Sequence, residues 1–537
     1  MKVLLVEPNY KNKYPPIGLM KISTYHKMLG DEVHFVKGTS KDIDSQVWDR
    51  IYITTLFTFY FDITIKTINH YLKIANDIRS LYVGGIMASL MPERIIDATG
   101  MDMEHILVGL FTDTSKVGDN NSVNIDQLPL DYDILDEITY KYPAGDNYFS
   151  HTSRGCPNHC PFCAIPILEP HFYVTNNIKK QIETINNKYG PKQNLLLLDN
   201  NVLNTPNLKE LVDDLCSLGF ERGAKFVDPG TYNIIMSRYH KGDRSPLLDN
   251  KLNTYLDSFK ARIKSSEMLE KFIKVLIKGE TISDFATYML DQEHVISPII
   301  EKYRNKNPKA RYLDFNQGVD ARKINDENMF QLSRLSIRPL RIAFDSINLS
   351  KQYINAVKIA HKYGIREISN YILFNYNDTP ASLYERLLIN IELNKELGIQ
   401  IFSFPMKYSP INRIDRNYIG KFWTRKALSA ISAILQVSNG VVAAGSNFFL
   451  KAFGNTLSEY FEILAMPRSL IMFRQYFEEN GTTNSWREEY NRLDNVQRNR
   501  LMHFVSKPVS ELKKMKYPKE FESIIPYYLI SYNGNRA

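Results

Sequence analysis

The sequence predicts an α/β protein built in series. An N-terminal Rossmann-like parallel sheet comes first, then a partial (β/α) TIM-like barrel carrying a helical insertion, and finally a helical C-terminal region. Three observations predict it. Over the first 110 residues, strand-length apolar runs alternate with amphipathic helical periodicity; a second such series starts near residue 148; and strand patterns fade after about residue 412. Alternation of this kind argues for parallel sheets covered on both faces. The 537 residues divide into 1–140 for the first sheet, 141–414 for the barrel with 222–310 inserted, and 415–537 for the helical region.

The elements follow in order. Lys2–Glu7 (KVLLVE) reads as a buried strand, 16–29 as a helix ending at Gly30, 32–36 as a second strand and Arg50–Thr55 (RIYITT) as a third. Helical periodicity covers 65–79, and the strand 81–83 runs into Gly84-Gly85. Residues 111–146, polar and interrupted by Pro129 and Pro143, read as a connecting segment. The barrel series takes strands at 148–153, 194–198, 312–319, 340–344, Glu367–Phe374 and 400–404. A charged, helical stretch interrupts it after Glu221, longer than one βα connection needs.

Composition excludes several classes. With 44% hydrophobic and 23% charged residues the chain is ordinary globular protein, not a disordered one. The net charge of +8 is mild: it does not exclude nucleic acid, yet falls short of a committed binder's basic face. The opening MKVLLVEPN is too short an apolar run for a signal peptide. The uncharged stretch 427–450 contains Gln436, Asn439, Gly440, Gly445 and Asn447, so it reads as a buried helix, a break and another helix, not a membrane span. A cytoplasmic protein is expected.

Four cysteines are present, and three fall in Thr152-Ser-Arg-Gly-Cys156-Pro-Asn-His-Cys160-Pro-Phe-Cys163. Clustered thiols in a cysteine-poor chain suggest a metal site in a reducing compartment. Three thiolates on one tight loop suit an iron–sulfur cluster and leave one iron without a protein donor. A structural zinc site would need a fourth ligand, and His159, beside Cys160, is poorly placed for it. Cys216 lies on an amphipathic helix with Leu211, Val212 and Leu215 and reads as core.

The CX3CX2C spacing, with Phe162 before the last cysteine, resembles the radical S-adenosylmethionine superfamily. The resemblance implies a [4Fe-4S] cluster on Cys156, Cys160 and Cys163, with S-adenosylmethionine chelating the open iron. Reductive cleavage would then give methionine and a 5′-deoxyadenosyl radical that abstracts hydrogen from substrate, with electrons from an external donor such as a flavodoxin or ferredoxin. Sites in βα folds form at the carboxyl ends of strands. That rule nominates Asp199, Asn200 and Asn201, which stand where the family often has GGE, for the methionine ammonium. By the resemblance, Asp345 and Ser346, which end the strand 340–344, match the pair that contacts the ribose, and Phe374, within 373–375, aligns with the adenine-contacting strand. Asn316, Gln317, Asp320 and Arg322 lie in an unusually polar strand and are candidates for a cofactor carboxylate or substrate. Lys407 is a candidate for the substrate cavity.

The N-terminal pattern resembles the cobalamin-binding domain that precedes many barrels of this superfamily, through KVLLVEPN, Pro15-Pro16 with Gly18, and Gly84-Gly85 with Pro92-Glu93. The Asp-X-His-X-X-Gly motif that would supply a cobalt ligand is absent; His26 and His34 lie in other contexts. Cobalamin is therefore a possible further cofactor, and methyl transfer one possible reaction. With Cys216 as the one cysteine left over, the second cluster of a methylthiotransferase is not provided for. The reading from another class is a non-catalytic iron–sulfur or corrinoid-binding sensor or electron carrier.

Overall fold

The computed structural model describes residues 1–532 except 76, 176, 280 and 281. Part of the periodicity read over 65–79 (residue 76), of the insertion (280 and 281) and of the tail (533–537) therefore lies outside the described residues. The chain packs as two compact units, 1–317 with 334–337 and 318–333 with 338–537.

The first unit opens with strands β1 (Lys2–Glu7), β2 (Glu32–Lys37), β3 (Arg50–Thr55), β4 (Leu81–Gly85) and β5 (Ile106–Leu107). They form an all-parallel sheet in the order β2-β1-β3-β4-β5. The apolar run of β1 is buried on both faces, as a helix-covered parallel strand requires. Helix Ile17–Met28 matches the expected one, whereas the next runs over Phe61–Ile74. Its start lies upstream of the periodic stretch because a single 3-10 turn, Thr58–Tyr60, leads straight into it.

Gly85 takes φ +104, and a Cβ there would meet the Thr55 carbonyl oxygen at 2.3 Å. Its missing side chain thus makes room for the neighbouring strand. Thr55 Oγ1 completes the turn, donating to the Gly84 carbonyl (2.9 Å) and accepting from the Ala88 N–H (2.9 Å) at the start of helix Ile86–Leu90.

The same unit continues with β6 (Tyr148–Ser150), the short strands β7 (Ser153–Arg154) and β8 (Tyr173–Val174), and β9 (Leu195–Leu197). After β10 (Lys225–Phe226) comes the insertion, closed by β11 (Lys309–Ala310) and followed by β12 (Leu313–Phe315). Strands β6, β9 and β12 make a parallel sheet in the order β12-β9-β6. The insertion is helical and has a core of its own, centred on Tyr232, Leu252, Leu256, Phe272, Met289 and Ile300. Antiparallel pairing of β10 with β11 brings its two ends together.

The second unit holds β13 (Leu340–Arg341), β14 (Glu367–Phe374) and β15 (Gln400–Lys407) in a parallel sheet, order β13-β14-β15. Its tail is helical, and Phe449, Tyr460, Trp486 and Leu501 pack there with Phe374 and Leu387. The uncharged stretch resolves into helices Arg425–Val437 and Ser446–Phe453. No helix among the described residues is long and apolar enough to cross a membrane.

Four expected strands are shorter than their sequence pattern: the 148–153 run is strand β6 over Tyr148–Ser150, the 194–198 run is β9 over Leu195–Leu197, and two more end early for visible reasons. The 312–319 run is strand only over Leu313–Phe315, because Gly318 turns the chain at φ +85 and Asp320 caps a 3-10 turn at Ala321–Lys323. The 340–344 run is strand over Leu340–Arg341, beyond which Ile342 keeps an isolated parallel bridge to Val319.

Candidate metal centre and cofactor residues

The cysteine loop leaves the carboxyl end of β6 and is closed at its base by a two-residue ladder that the sequence pattern did not reveal. Ser153 pairs with Val174 and Arg154 with Tyr173. Below the ladder, the Thr175 N–H donates to the Thr152 carbonyl at 2.7 Å.

Asp199, immediately past β9, anchors the other side of this stem. Its Oδ1 accepts from the Thr152 N–H (2.9 Å), Thr152 Oγ1 (2.7 Å), the Ser153 N–H (2.6 Å) and Ser153 Oγ (2.8 Å). Asp199 is 3% exposed, and burial pushes its carboxyl up, opposed by these donors. Its lone pairs are thus committed to the loop, which corrects its nomination for a methionine ammonium. Asn200 donates from Nδ2 to Glu169 Oε2 at 2.9 Å, a bond that does not use its acceptor oxygen. Asn201 is different: it is buried, and its Oδ1 has no hydrogen-bond partner among the described residues. A buried acceptor left unmatched costs free energy that a bound donor would recover.

Within the loop, the Cys163 N–H donates to the Cys160 carbonyl (3.0 Å), and the Ile165 N–H reaches Cys163 Sγ at 3.5 Å. Cys156, Cys160 and Cys163 are partly exposed and none forms a disulfide. Gly155 sits at φ +71, where a Cβ would lie 2.3 Å from the His171 carbonyl oxygen and 3.0 Å from that of Glu169. The chain passes through too tight a gap there for any side chain. No group of three or more His, Cys, Asp or Glu among the described residues converges as the ligand set of a single ion would. Thiols spread along a loop suit a polynuclear cluster, whose ligands stand apart around an inorganic core. The donor set, its partial exposure and the backbone N–H aimed at sulfur fit such a group.

A buried charge network roots the loop, and the sequence analysis missed it. Arg154 donates from Nε (2.9 Å) and Nη2 (2.5 Å) to Asp126, and from Nη1 to Glu169 Oε1 (3.0 Å). The second oxygen of Glu169 also accepts the Gly155 N–H at 2.7 Å. Lys21, from helix Ile17–Met28, reaches Asp126 Oδ1 at 2.8 Å, and His151 Nε2 lies 3.3 Å from Oδ2. Burial would raise the Asp126 carboxyl, but the imidazole of His151 and the charges of Lys21 and Arg154 outweigh it and hold it well below the usual carboxylate range. Burial pulls Lys21 down to about 8 and His151 to about 4, so the imidazole is neutral at pH 7. Asp126 belongs to the stretch read as a connector, and its one sequence signal is the Asn124 side chain that caps its turn.

A second link crosses from the loop after β1. Tyr14 Oη donates to Asn316 Oδ1 (3.0 Å), just past β12, and its ring meets Phe149 of β6 edge-on at 6.1 Å. Gln317, next to it, is exposed.

In the second unit Asp345 and Ser346 follow β13. No hydrogen bond to the Asp345 carboxylate is found among the described residues; burial pushes it up to about 6, with Arg386, Asp320 and Arg322 as its charged neighbours. Ser346 Oγ is used locally, accepting the Asn348 N–H at 3.3 Å. Arg322 is exposed and paired with Asp320 through Nε (2.8 Å) and Nη2 (2.6 Å). Phe374 departs from expectation: its side chain is 3% exposed and packs 5.4 Å from the Trp423 ring, so only its backbone is available to a ligand. Lys407 Nζ donates to the Arg416 carbonyl at 2.8 Å.

Arg386, also missed, ties these strand ends together. Fully buried, it donates from Nη1 to the carbonyls of Phe344 (3.2 Å), Asp345 (3.0 Å) and Leu373 (2.8 Å), and from Nη2 to Asp378 Oδ2 (2.9 Å).

In class, fold and site together describe an α/β chain with a cysteine loop rooted at the carboxyl edge of a parallel sheet. Among solved structures the chain is similar to the radical S-adenosylmethionine methyltransferase TsrM from Kitasatospora setae, with cobalamin and a [4Fe-4S] cluster bound. The identity is 13%, the TM-score 0.43, and the match covers 76% of this chain and 72% of that one. It is also similar to the cobalamin-dependent S-adenosylmethionine radical enzyme OxsB with aqua-cobalamin and S-adenosylmethionine bound, at 14% identity and TM-score 0.42, over 78% of this chain and 54% of that one. Likenesses this distant do not fix an activity. No protein-family model and no curated protein sequence matches the chain.

Proposed function

We propose that the chain is a radical S-adenosylmethionine enzyme, with Cys156, Cys160 and Cys163 as the protein ligands of a [4Fe-4S] cluster. One observation carries this: three thiols lie on a loop stitched by Asp199 to the carboxyl ends of β6 and β9, where βα sites form. When bound, such a cluster supplies the electron that cleaves the sulfonium of S-adenosylmethionine to methionine and a 5′-deoxyadenosyl radical. The chain's own residues hold and orient. Asn201 offers a buried acceptor to the methionine ammonium in place of Asp199. Gly155 keeps the loop close to its stem. In this reading the electron comes from an external donor such as a flavodoxin or ferredoxin, in keeping with a reducing, cytoplasmic compartment.

Anaerobic reconstitution, followed by dithionite and S-adenosylmethionine, tests the reading. Iron and sulfide are expected in the protein and 5′-deoxyadenosine in the products, both lost in Cys156→Ala, Cys160→Ala and Cys163→Ala. Zinc without iron overturns it. An intact, reduced cluster that forms no 5′-deoxyadenosine favours the carrier or sensor instead.

A second reading, cobalamin-dependent methyl transfer, is favoured by the N-terminal sheet. Its strand order reverses between β1 and β3, the position at which such sheets bind ligands. Aromatic rings line the loops there: Tyr10 stacks on Tyr60 at 4.6 Å and Phe57 on Phe59 at 5.2 Å, with Phe57 exposed. Titration with hydroxocobalamin decides it, a shifted corrin spectrum being expected on binding and an unchanged one overturning it.

A further inference from the structure

We propose that Asp126 is a positioning residue for the cysteine loop, holding Arg154 and, through Arg154 and Glu169, both ends of that loop in register with helix Ile17–Met28. The inference rests on the radical S-adenosylmethionine reading for its redox readout, though not for its geometry. Three parts of the chain remote in sequence converge on this carboxylate. Lys21 comes from the helix after β1, Asp126 from the segment after the N-terminal sheet, and His151 and Arg154 from the start of the cysteine loop. The Lys21 ammonium also donates to the Asp126 carbonyl at 2.5 Å, so side chain and backbone are gripped together.

The geometry makes Arg154 the lever. Its planar fork gives one edge to Asp126 and the remaining nitrogen to Glu169, and such bidentate pairing fixes orientation as well as distance. Glu169 then reaches back to the Gly155 N–H and across to Asn200 at the end of β9. Arg154 stands two residues before Cys156 and Glu169 six after Cys163, so the pair clasps the loop from outside the ligands. Lys21, Arg154, Asp126 and Glu169 are buried or nearly so, and the two cations are balanced only with both carboxylates in place. Without it, two poorly solvated cations face each other at the root of the loop. Arg154 loses two of its three donated bonds to carboxylates, and the one it keeps, to Glu169, no longer starts from a guanidinium held in place.

The full-length protein tests this in both metal-free and reconstituted form. In metal-free Asp126→Asn, amide hydrogens over 155–169 are expected to exchange faster than in the parent. In the reconstituted variant the iron is retained, while the cluster's midpoint potential, followed by EPR, moves positive because a nearby negative charge is gone. 5′-Deoxyadenosine formation falls about ten- to a hundredfold, the range for residues that orient metal ligands. Asp126→Glu brings the potential part of the way back. If Asp126→Asn does not fold, the charge-balanced Lys21→Met/Asp126→Asn chain carries the same comparison, since Arg154 is released in it too. Parental exchange over 155–169 together with a parental potential overturns the proposal. A parent that takes up no iron overturns the enzymatic reading instead, and the exchange experiment still decides the role of Asp126.

Discussion

Asp199 shows how much one buried side chain can organise. Its Oδ1 takes four donors from Thr152 and Ser153 and so fixes where the cysteine loop leaves the sheet. Asp199→Ala leaves those donors buried and unmatched, and urea unfolding is expected to report a loss of about 2–4 kcal/mol. Asp345 presents the opposite case, a half-buried carboxylate with little to hold it ionised. Its folded-state value, pushed up to about 6, exceeds the ordinary value of 3.8. Ionisation therefore opposes folding, and stability contributed by the neutral form is lost as pH rises from about 4 through 6. Asp345→Asn is expected to match the parent near pH 4 and to exceed it at pH 8 by roughly 2 kcal/mol in denaturant titrations. The cysteine cluster stands out from its spacing alone, whereas the hydrogen bonds of Asp199 to Thr152 and Ser153 do not. A polar residue past a strand suits a ligand or an anchor equally well, and only the approach of Thr152, 47 residues away, separates the two.

At the level of elements, most parallel strands were readable because each is a short apolar run between helices, but β5, only two residues long, was not. What hid was pairing that involves two residues at a time, as in β7 with β8 and β10 with β11, where no periodicity can build up. Pattern also overstated strands where a cap intervened, as Asp320 does after β12. The segment 111–146 looked featureless because its regular pieces are single 3-10 turns, yet it supplies Asp126, and Asp133 for Arg238 at 2.7 Å. The insertion's separate core yields a prediction at this scale. Leu252→Ala, at a fully buried position, is expected to cost about 2–5 kcal/mol in unfolding while the iron content of the reconstituted protein stays at the parental level.

For the molecule as a whole, the three tryptophans are distributed usefully. Trp48 is buried in the first unit, and Trp423 and Trp486 in the tail core of the second. In a Trp48→Phe background, intrinsic fluorescence reports the second unit alone. Leu501→Ala, which empties part of that tail core, is expected to lower the fluorescence midpoint in that background.

The antiparallel stitch between Lys225–Phe226 and Lys309–Ala310 has a broader meaning. A segment that departs and returns through neighbouring residues hands the frame beneath it the same two attachment points whatever its contents. Residues between those points are free to lengthen, shorten or change their surface over generations while β9 and β12 stay in step. A change confined to the insertion thus acts on its own core and surface and leaves the pairing of β9 with β12 as it stands.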